Sequence, residues 1–172
     1  MNDALPDVLQ DDLVLVFCGT AASTASARAG AYYAKSSNAF WSALQETGVT
    51  PRRFAPSEFQ RLLELRIGLT DVAKRASGSD SSLRRDDFRP DCLSRKIRRY
   101  RPQIVAFTSK AAWRAWRRLS AADPVSYGWQ VCRLGATGFV VLPSPSGAAR
   151  AYWDISHWQA LADEYQRRVR KG

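Results

Sequence analysis

Histidine is almost missing from this chain: His157 is the only one in 172 residues, which all but excludes a histidine-built metal centre. Cysteine is scarce as well. Cys18, Cys92 and Cys132 are odd in number and stand 74 and 40 residues apart, which fits neither a disulfide framework nor the short spacings of zinc ligands. No run reaches the roughly 18–20 consecutive apolar residues of a membrane span. The opening Met1-Asn2-Asp3-Ala4-Leu5-Pro6-Asp7 also lacks the basic-then-apolar order of a signal peptide, so the expected location is the cytoplasm.

Negative charge is also in short supply, with 16 Asp and Glu against 26 Lys and Arg, leaving a formal +10. A polyanion is the partner class that such a balance points to. The excess is uneven: residues 84–118 hold twelve basic side chains, among them Arg98 and Arg99, against three acids. The same run also reads as solvated helix faces. If nucleic acid is the partner, each neutralised phosphate releases counterions and affinity falls with salt.

What is present is enough apolar residue, 45% of the chain, for one domain of ordinary size. The division expected is an amino-terminal tail at 1–12 and a domain at 13–170. Leu13-Val14-Leu15-Val16-Phe17 reads as a buried parallel strand ending at Cys18-Gly19. Residues 20–37, rich in Ala, Ser, Thr and Gly, read as a long loop. A helix follows from Asn38, with Phe40, Trp41 and Leu44 on one face and Gly48 as its stop. Ser57 with Gln60 then reads as the capping box of a second helix. Residues 68–72 read as a connection and 76–82 as a breaker-rich loop.

Asp91 reads as the cap of a basic helix that ends before Pro102. Gln103-Ile104-Val105-Ala106-Phe107 is a second apolar strand, and Ser109 caps the helix bearing Trp113 and Trp116. Strands at 129–134 and 139–142, a loop at 143–147 and a helix over 155–169 complete the chain. The alternation predicts an α/β fold, a single-domain three-layer α/β/α sandwich on a mostly parallel sheet, with ligands bound at the carboxyl ends of the strands. The loops after Phe17 and after Leu142 should then converge on one crevice.

Val16-Phe17-Cys18-Gly19, Gly30-Ala31-Tyr32-Tyr33-Ala34 and Asn38-Ala39-Phe40-Trp41 resemble, in order and spacing, the opening of the mismatch-specific uracil/thymine-DNA glycosylases of the uracil-DNA glycosylase superfamily. The likeness continues through Gly68-Leu69-Thr70-Asp71-Val72, Tyr100-Arg101-Pro102-Gln103 and residues 141–150, so it covers about residues 13–165. It implies base flipping followed by hydrolysis of the N-glycosidic bond to uracil in DNA, with no metal or organic cofactor and with single- or double-stranded uracil-containing DNA as partner. A monomer at the start of base excision repair is expected. Three departures stand out. Gly19-Thr20-Ala21-Ala22-Ser23 replaces the family's Gly-x-Asn-Pro-Gly, so Ala21 stands where a water-positioning asparagine belongs. Ser144 replaces the asparagine that opens the second loop, and Ala148 replaces a bulky wedge. Another branch of the superfamily carries alanine at the first of these positions and is active.

Glycosidic cleavage through an oxocarbenium-like sugar is largely electrostatic, so losing one preorganised donor, worth about 3 kcal/mol, slows the reaction without abolishing it. The resemblance implies that Tyr33 stacks on the flipped base and that the backbone of Gly19, Thr20, Ala21 and Ala22 lines the base pocket. Asn38 either reads a base edge or caps its helix. Asp71 is the candidate for polarising water and stabilising the sugar, or it binds backbone; Ser23 can orient water through its hydroxyl. Ser144, Ser146 and Gly147 either hold a phosphate or the base, or form an ordinary turn. Arg150 fills the vacated stack or clamps a phosphate, Ala148 being a poor wedge, while Arg98 and Arg99 reach DNA only if they share that face. His157 reads as structural. Absence of lysine from the recognised loops implies a monofunctional enzyme. A sensor of uracil or abasic DNA without turnover, supported by Ala21, and an enzyme of free nucleotides are the competing readings.

Overall fold

Along the first strand, β1 (Leu15–Gly19), alternate side chains enter different cores: Leu15 and Phe17 one, Val16 and Cys18 the other. That two-sided burial makes it a central strand. In the computed structural model, which describes residues 2–171, β1 lies between β2 (Ile67–Asp71) and β3 (Ile104–Phe107), both parallel to it. β5 (Thr137–Val141) pairs in parallel with β3, and the edge strand β4 (Gly128–Leu134) runs antiparallel to β5, giving the order β2-β1-β3-β5-β4.

The first core gathers α2 (Phe40–Glu46), a 3-10 helix over Pro56–Leu65 and α5 (Ile155–Lys171); the second gathers α3 (Pro90–Tyr100) and α4 (Lys110–Arg117). This is the three-layer, mostly parallel α/β/α architecture expected. Ser109 caps α4 through the Ala112 N–H as predicted. Among the described residues no helix is long and apolar enough to cross a membrane.

Several local expectations are corrected. Residues 67–71 form a strand, because Ile67 and Leu69 are buried where β2 pairs with β1 and with Val8, even though Gly68, Thr70 and Asp71 interrupt the apolar pattern. The 20–37 segment contains α1 (Thr24–Ala29). Ser57 does not cap the helix before Leu62; Ala55 precedes it, and the Glu58 carboxylate accepts the Ala55 N–H at 2.8 Å, one half of a capping box. Asp91 does not cap α3; its carboxylate pairs with Arg118 at 2.6 Å, and Pro90 opens the helix. Within the expected amino-terminal tail, residues 4–8 pack on the sheet. Leu5 is 1% exposed, Val8 bridges Leu69 with hydrogen bonds in both directions, and Ala4 N–H donates to the Lys74 carbonyl.

Candidate functional site

Parallel pairing sets Gly19, the last residue of β1, beside Asp71, the last of β2, and Thr108 follows β3 on the other side. A Cβ on Gly19 would stand 2.7 Å from Asp71 Oδ1, 3.4 Å from Tyr33 Oη and 3.7 Å from Thr108 Oγ1. Glycine is needed there for room, since three polar side chains converge on its bare Cα. The hydroxyls of Tyr33 and Thr108 are 3.4 Å apart, and the Thr108 N–H donates to the Cys18 carbonyl.

Asp71 is 5% exposed and lies 3.5 Å from the ammonium of Lys74, itself 7% exposed. Lys74 also stands 3.4 Å from Asp7 and donates to Tyr32 Oη at 2.8 Å. Asp7 accepts from Thr70 and pairs with Lys96, while the Tyr32 hydroxyl donates to the Pro6 carbonyl. The amino-terminal segment thus delivers a second carboxylate to the end of β2. Burial pushes the Asp71 carboxyl above its usual range, and the Lys74 charge and hydrogen bond oppose that rise. Burial and then the Asp71 charge drive the Tyr33 phenol far above its ordinary value, so it remains a neutral hydrogen-bonding group.

The two loops meet. Ala39 N–H donates to the Pro145 carbonyl at 2.8 Å, and Gly147 packs so tightly on Ser37 that a Cβ would lie 2.8 Å from its Oγ. The indole N–H of Trp158 holds the Pro143 carbonyl at 3.1 Å, tying the second loop to the core. Beside the first loop opens a cavity of about 370 Å³ lined by Tyr33, Lys35, Asn38, Trp41, Arg53 and Phe54, among others. Phe40 stacks on one face of Tyr33, with centroids 3.9 Å apart and planes 16° from parallel, leaving a base only the other face. Asn38 Oδ1 accepts the Phe40 N–H at 2.9 Å. That oxygen is thus held locally at the start of α2, whose N-cap is Ala39, and the amide NH2 remains unbonded to protein among the described residues.

Around the altered motif, Ala73 N–H donates to the Thr20 carbonyl and Gly78 N–H to the Ala22 carbonyl. The N–H groups of Thr20 and Ala21 bond to no backbone carbonyl among the described residues, so both are free to donate. Ser23 is the N-cap of α1, accepting the Ser26 N–H and donating to Ser26 Oγ, each at 3.0 Å. Its hydroxyl is committed to the helix, and the water-orienting expectation has no free donor behind it. Ser144 Oγ accepts from Ser146 N–H, and Ser146 Oγ accepts from Ala148 N–H as the N-cap of a 3-10 helix, Gly147–Tyr152. Arg150 and Ala148 are exposed on that turn. His157 lies 3.7 Å from Asp154 at the start of α5 and tilts against Tyr127.

Arg98 and Arg99 lie elsewhere. α3 starts beside the carboxyl end of β2, where Arg89 N–H meets the Val72 carbonyl, and runs about 16 Å back toward the amino ends of the strands. Arg99 pairs there with Asp11, just before β1. The direction of the helix removes both arginines from the loop face. The lysine-free expectation also needs correcting, because Lys35, within the first loop, lines the cavity, and Lys74 is buried against Asp71 and Tyr32.

Sequence reasoning missed Thr108, Lys74 and Asp80. Thr108 was findable as the residue leaving an apolar strand. Asp80 sits in the loop that bridges Ala22 through Ser77; partial desolvation raises its carboxyl, and the Thr20 hydroxyl opposes this. Nothing local marks that pairing.

The family model of the uracil DNA glycosylase superfamily matches residues 6–165. Among solved structures, the chain is similar to the solution NMR structure of a "putative Uracil DNA glycosylase" from Methanosarcina acetivorans. The TM-score is 0.69 at 22% identity, covering 94% of this chain and 96% of the other.

Proposed function

The chain belongs to the uracil DNA glycosylase superfamily, and from that premise we propose that it excises uracil from DNA by hydrolysis after flipping the nucleotide out of the helix. The observation that carries this reading is the junction of the two loops, Ala39 on Pro145 and Ser37 on Gly147, beside a cavity that holds Tyr33 and Asn38. The flipped uracil stacks on the face of Tyr33 that Phe40 leaves free, and the Asn38 NH2 donates to a base carbonyl. As the bond from the sugar to the base nitrogen breaks, its electron pair passes to the base. The free N–H groups of Thr20 and Ala21 stabilise the charge that develops on the uracil oxygens. Asp71 supplies negative charge beneath Gly19, opposing the positive charge on the sugar and orienting the attacking water, whose proton leaves toward the base.

No amine is required in this scheme, and the protein acts as a cytoplasmic, monofunctional monomer. The test uses a labelled oligonucleotide with one uracil, single- or double-stranded, cleaved by alkali after incubation. The expected result is uracil release that borohydride does not convert to a trapped covalent complex. A borohydride adduct would instead assign Lys35 a lyase role. Tight binding with no base release at stoichiometric protein would replace excision with a sensor of uracil or abasic sites, the role that Ala21 favours.

The phosphate contacts follow from the same face. Lys35 and Arg53 at the cavity and Arg150 on the second loop take part in no ion pair among the described residues. Each of Lys35→Ala, Arg53→Ala and Arg150→Ala should lower the slope of log affinity against log salt by about 0.9 on duplex DNA. Arg98→Glu with Arg99→Glu should leave that slope unchanged. Fluorescence titrations across a salt series read both, and a slope change confined to the arginine pair would move the DNA to the opposite end of the molecule.

A further inference from the structure

Ala148 leaves the wedge position without bulk, yet a flipped nucleotide leaves a gap that must be filled or the base falls back. Among the described residues four large apolar side chains stand out as exposed: Trp129, Val131, Tyr152 and Val169. Trp129 and Val131 belong to the edge strand β4, where the Trp129 ring lies over Gly138 and beside the Arg168 guanidinium. Val169 is near the end of α5. Tyr152 differs in place and in surroundings. It is 72% exposed, its hydroxyl has no partner and its ring no aromatic neighbour among the described residues, and it closes the turn that carries Gly147 and Arg150.

That turn is rigid. Its first residues are held by Ser146, which accepts the Ala148 N–H through its Oγ and the Ala149 N–H through its carbonyl. Its last is held by Trp153, whose N–H donates to the Arg150 carbonyl and whose ring packs on Trp158 at 5.6 Å. Trp158 in turn holds Pro143 at the root of the same loop. An aromatic ring projected into solvent from such a support needs only its own side-chain torsions ordered when it meets a partner. With a rise of about 2 Å per residue, the 3-10 turn puts Tyr152 about 10 Å beyond Gly147, which touches the first loop. Tyr152 is not among the residues that line the base cavity. Ala148, Ala149 and Ala151 offer nothing of comparable size on the turn.

We propose that Tyr152 is the wedge, its ring entering the base stack at the gap left by the everted nucleotide while Arg150 holds a flanking phosphate. The proposal rests on the DNA glycosylase reading and refines it. An aromatic wedge stacks on neighbouring bases as well as excluding the flipped one, and single-stranded DNA, whose bases unstack readily, has little need of it.

The experiment compares wild type, Tyr152→Ala and Tyr152→Phe on two measurements. In single-turnover excision, Tyr152→Ala should slow uracil release from duplex DNA about 10- to 100-fold and leave release from single strands unchanged, with Tyr152→Phe near wild type. In binding, a duplex with an abasic-site analogue opposite 2-aminopurine should change fluorescence with wild type and with Tyr152→Phe, and not with Tyr152→Ala. Equal excision from duplex by wild type and Tyr152→Ala, or equal loss on both strand forms, would overturn the wedge. So would a fluorescence response that survives in Tyr152→Ala. If no variant releases uracil, the excision reading fails, and the fluorescence comparison still decides the wedge. Because the side chain is exposed and makes no protein contact that the fold needs, unchanged thermal unfolding should accompany every outcome.

Discussion

Replacing Tyr33 by alanine is expected to slow uracil excision about 10- to 100-fold, the rate equivalent of losing the roughly 1–3 kcal/mol that stacking one base on an aromatic ring provides. The ring is held for that task before any ligand arrives, clamped by Phe40 on one face and tied to Thr108 through its hydroxyl. Its backbone sits at φ 53°, in the left-handed region that side chains seldom adopt, so the surrounding loop must hold it there. Tyr33→Phe keeps the ring and loses the contact with Thr108. It should stay within a few-fold of wild type, while Tyr33→Ala fails on single- and double-stranded substrates alike. That last feature separates Tyr33 from Tyr152 in a single-turnover assay. An alanine variant with wild-type rates would show that the base lies elsewhere.

Lys74→Met should have the largest effect on stability. It strips the ammonium from between two carboxylates, Asp71 and Asp7, the first of them 5% exposed, and an unpaired buried charge costs about 3–5 kcal/mol. The sign with pH follows from Asp71. Its folded-state value lies above the ordinary carboxylate range, so the folded chain holds that proton more tightly than the unfolded chain. Its contribution is then favourable below the ordinary value and is lost as pH rises toward the raised one. Removing Lys74 takes away the strongest opposing influence and raises that value further. The destabilisation should therefore be smaller in acid than at neutral pH. If Asp71 must be ionised to act, the acid limb of the activity profile should also move to higher pH. Asp71→Asn combined with Lys74→Met should recover much of the lost stability and no activity. Denaturant unfolding at several pH values, with pH-rate profiles of wild type and Lys74→Met, checks both parts. An unchanged acid limb would release Asp71 from the chemistry.

The apolar runs that became β1 and β3, the Ser109 cap and the closing helix were legible because each depends on neighbours within a few residues. β2 was not, since Gly68 and Asp71 carry little strand preference alone, and burial against β1 and under Val8 makes the strand. Of the site, Tyr33 and Asn38 could be named from the order of motifs, and the cavity does contain both. Ser23 shows the opposite outcome: a hydroxyl in a recognisable loop is equally a helix cap, and the start of α1 claimed it.

The sequence alone determined the alternation of strands and helices, the single domain and the family motifs, since periodicity, capping and turn chemistry act over a few residues. Tertiary structure alone decided which charged groups meet. Asp71 touches Gly19 at a separation of 52 positions, Asp7 reaches Lys74 at one of 67, and the direction of α3 carries Arg98 and Arg99 away from the loops that their charge had suggested they join. Electrostatic interactions depend on separation and burial in space, and neither quantity is written in the spacing of residues along a chain.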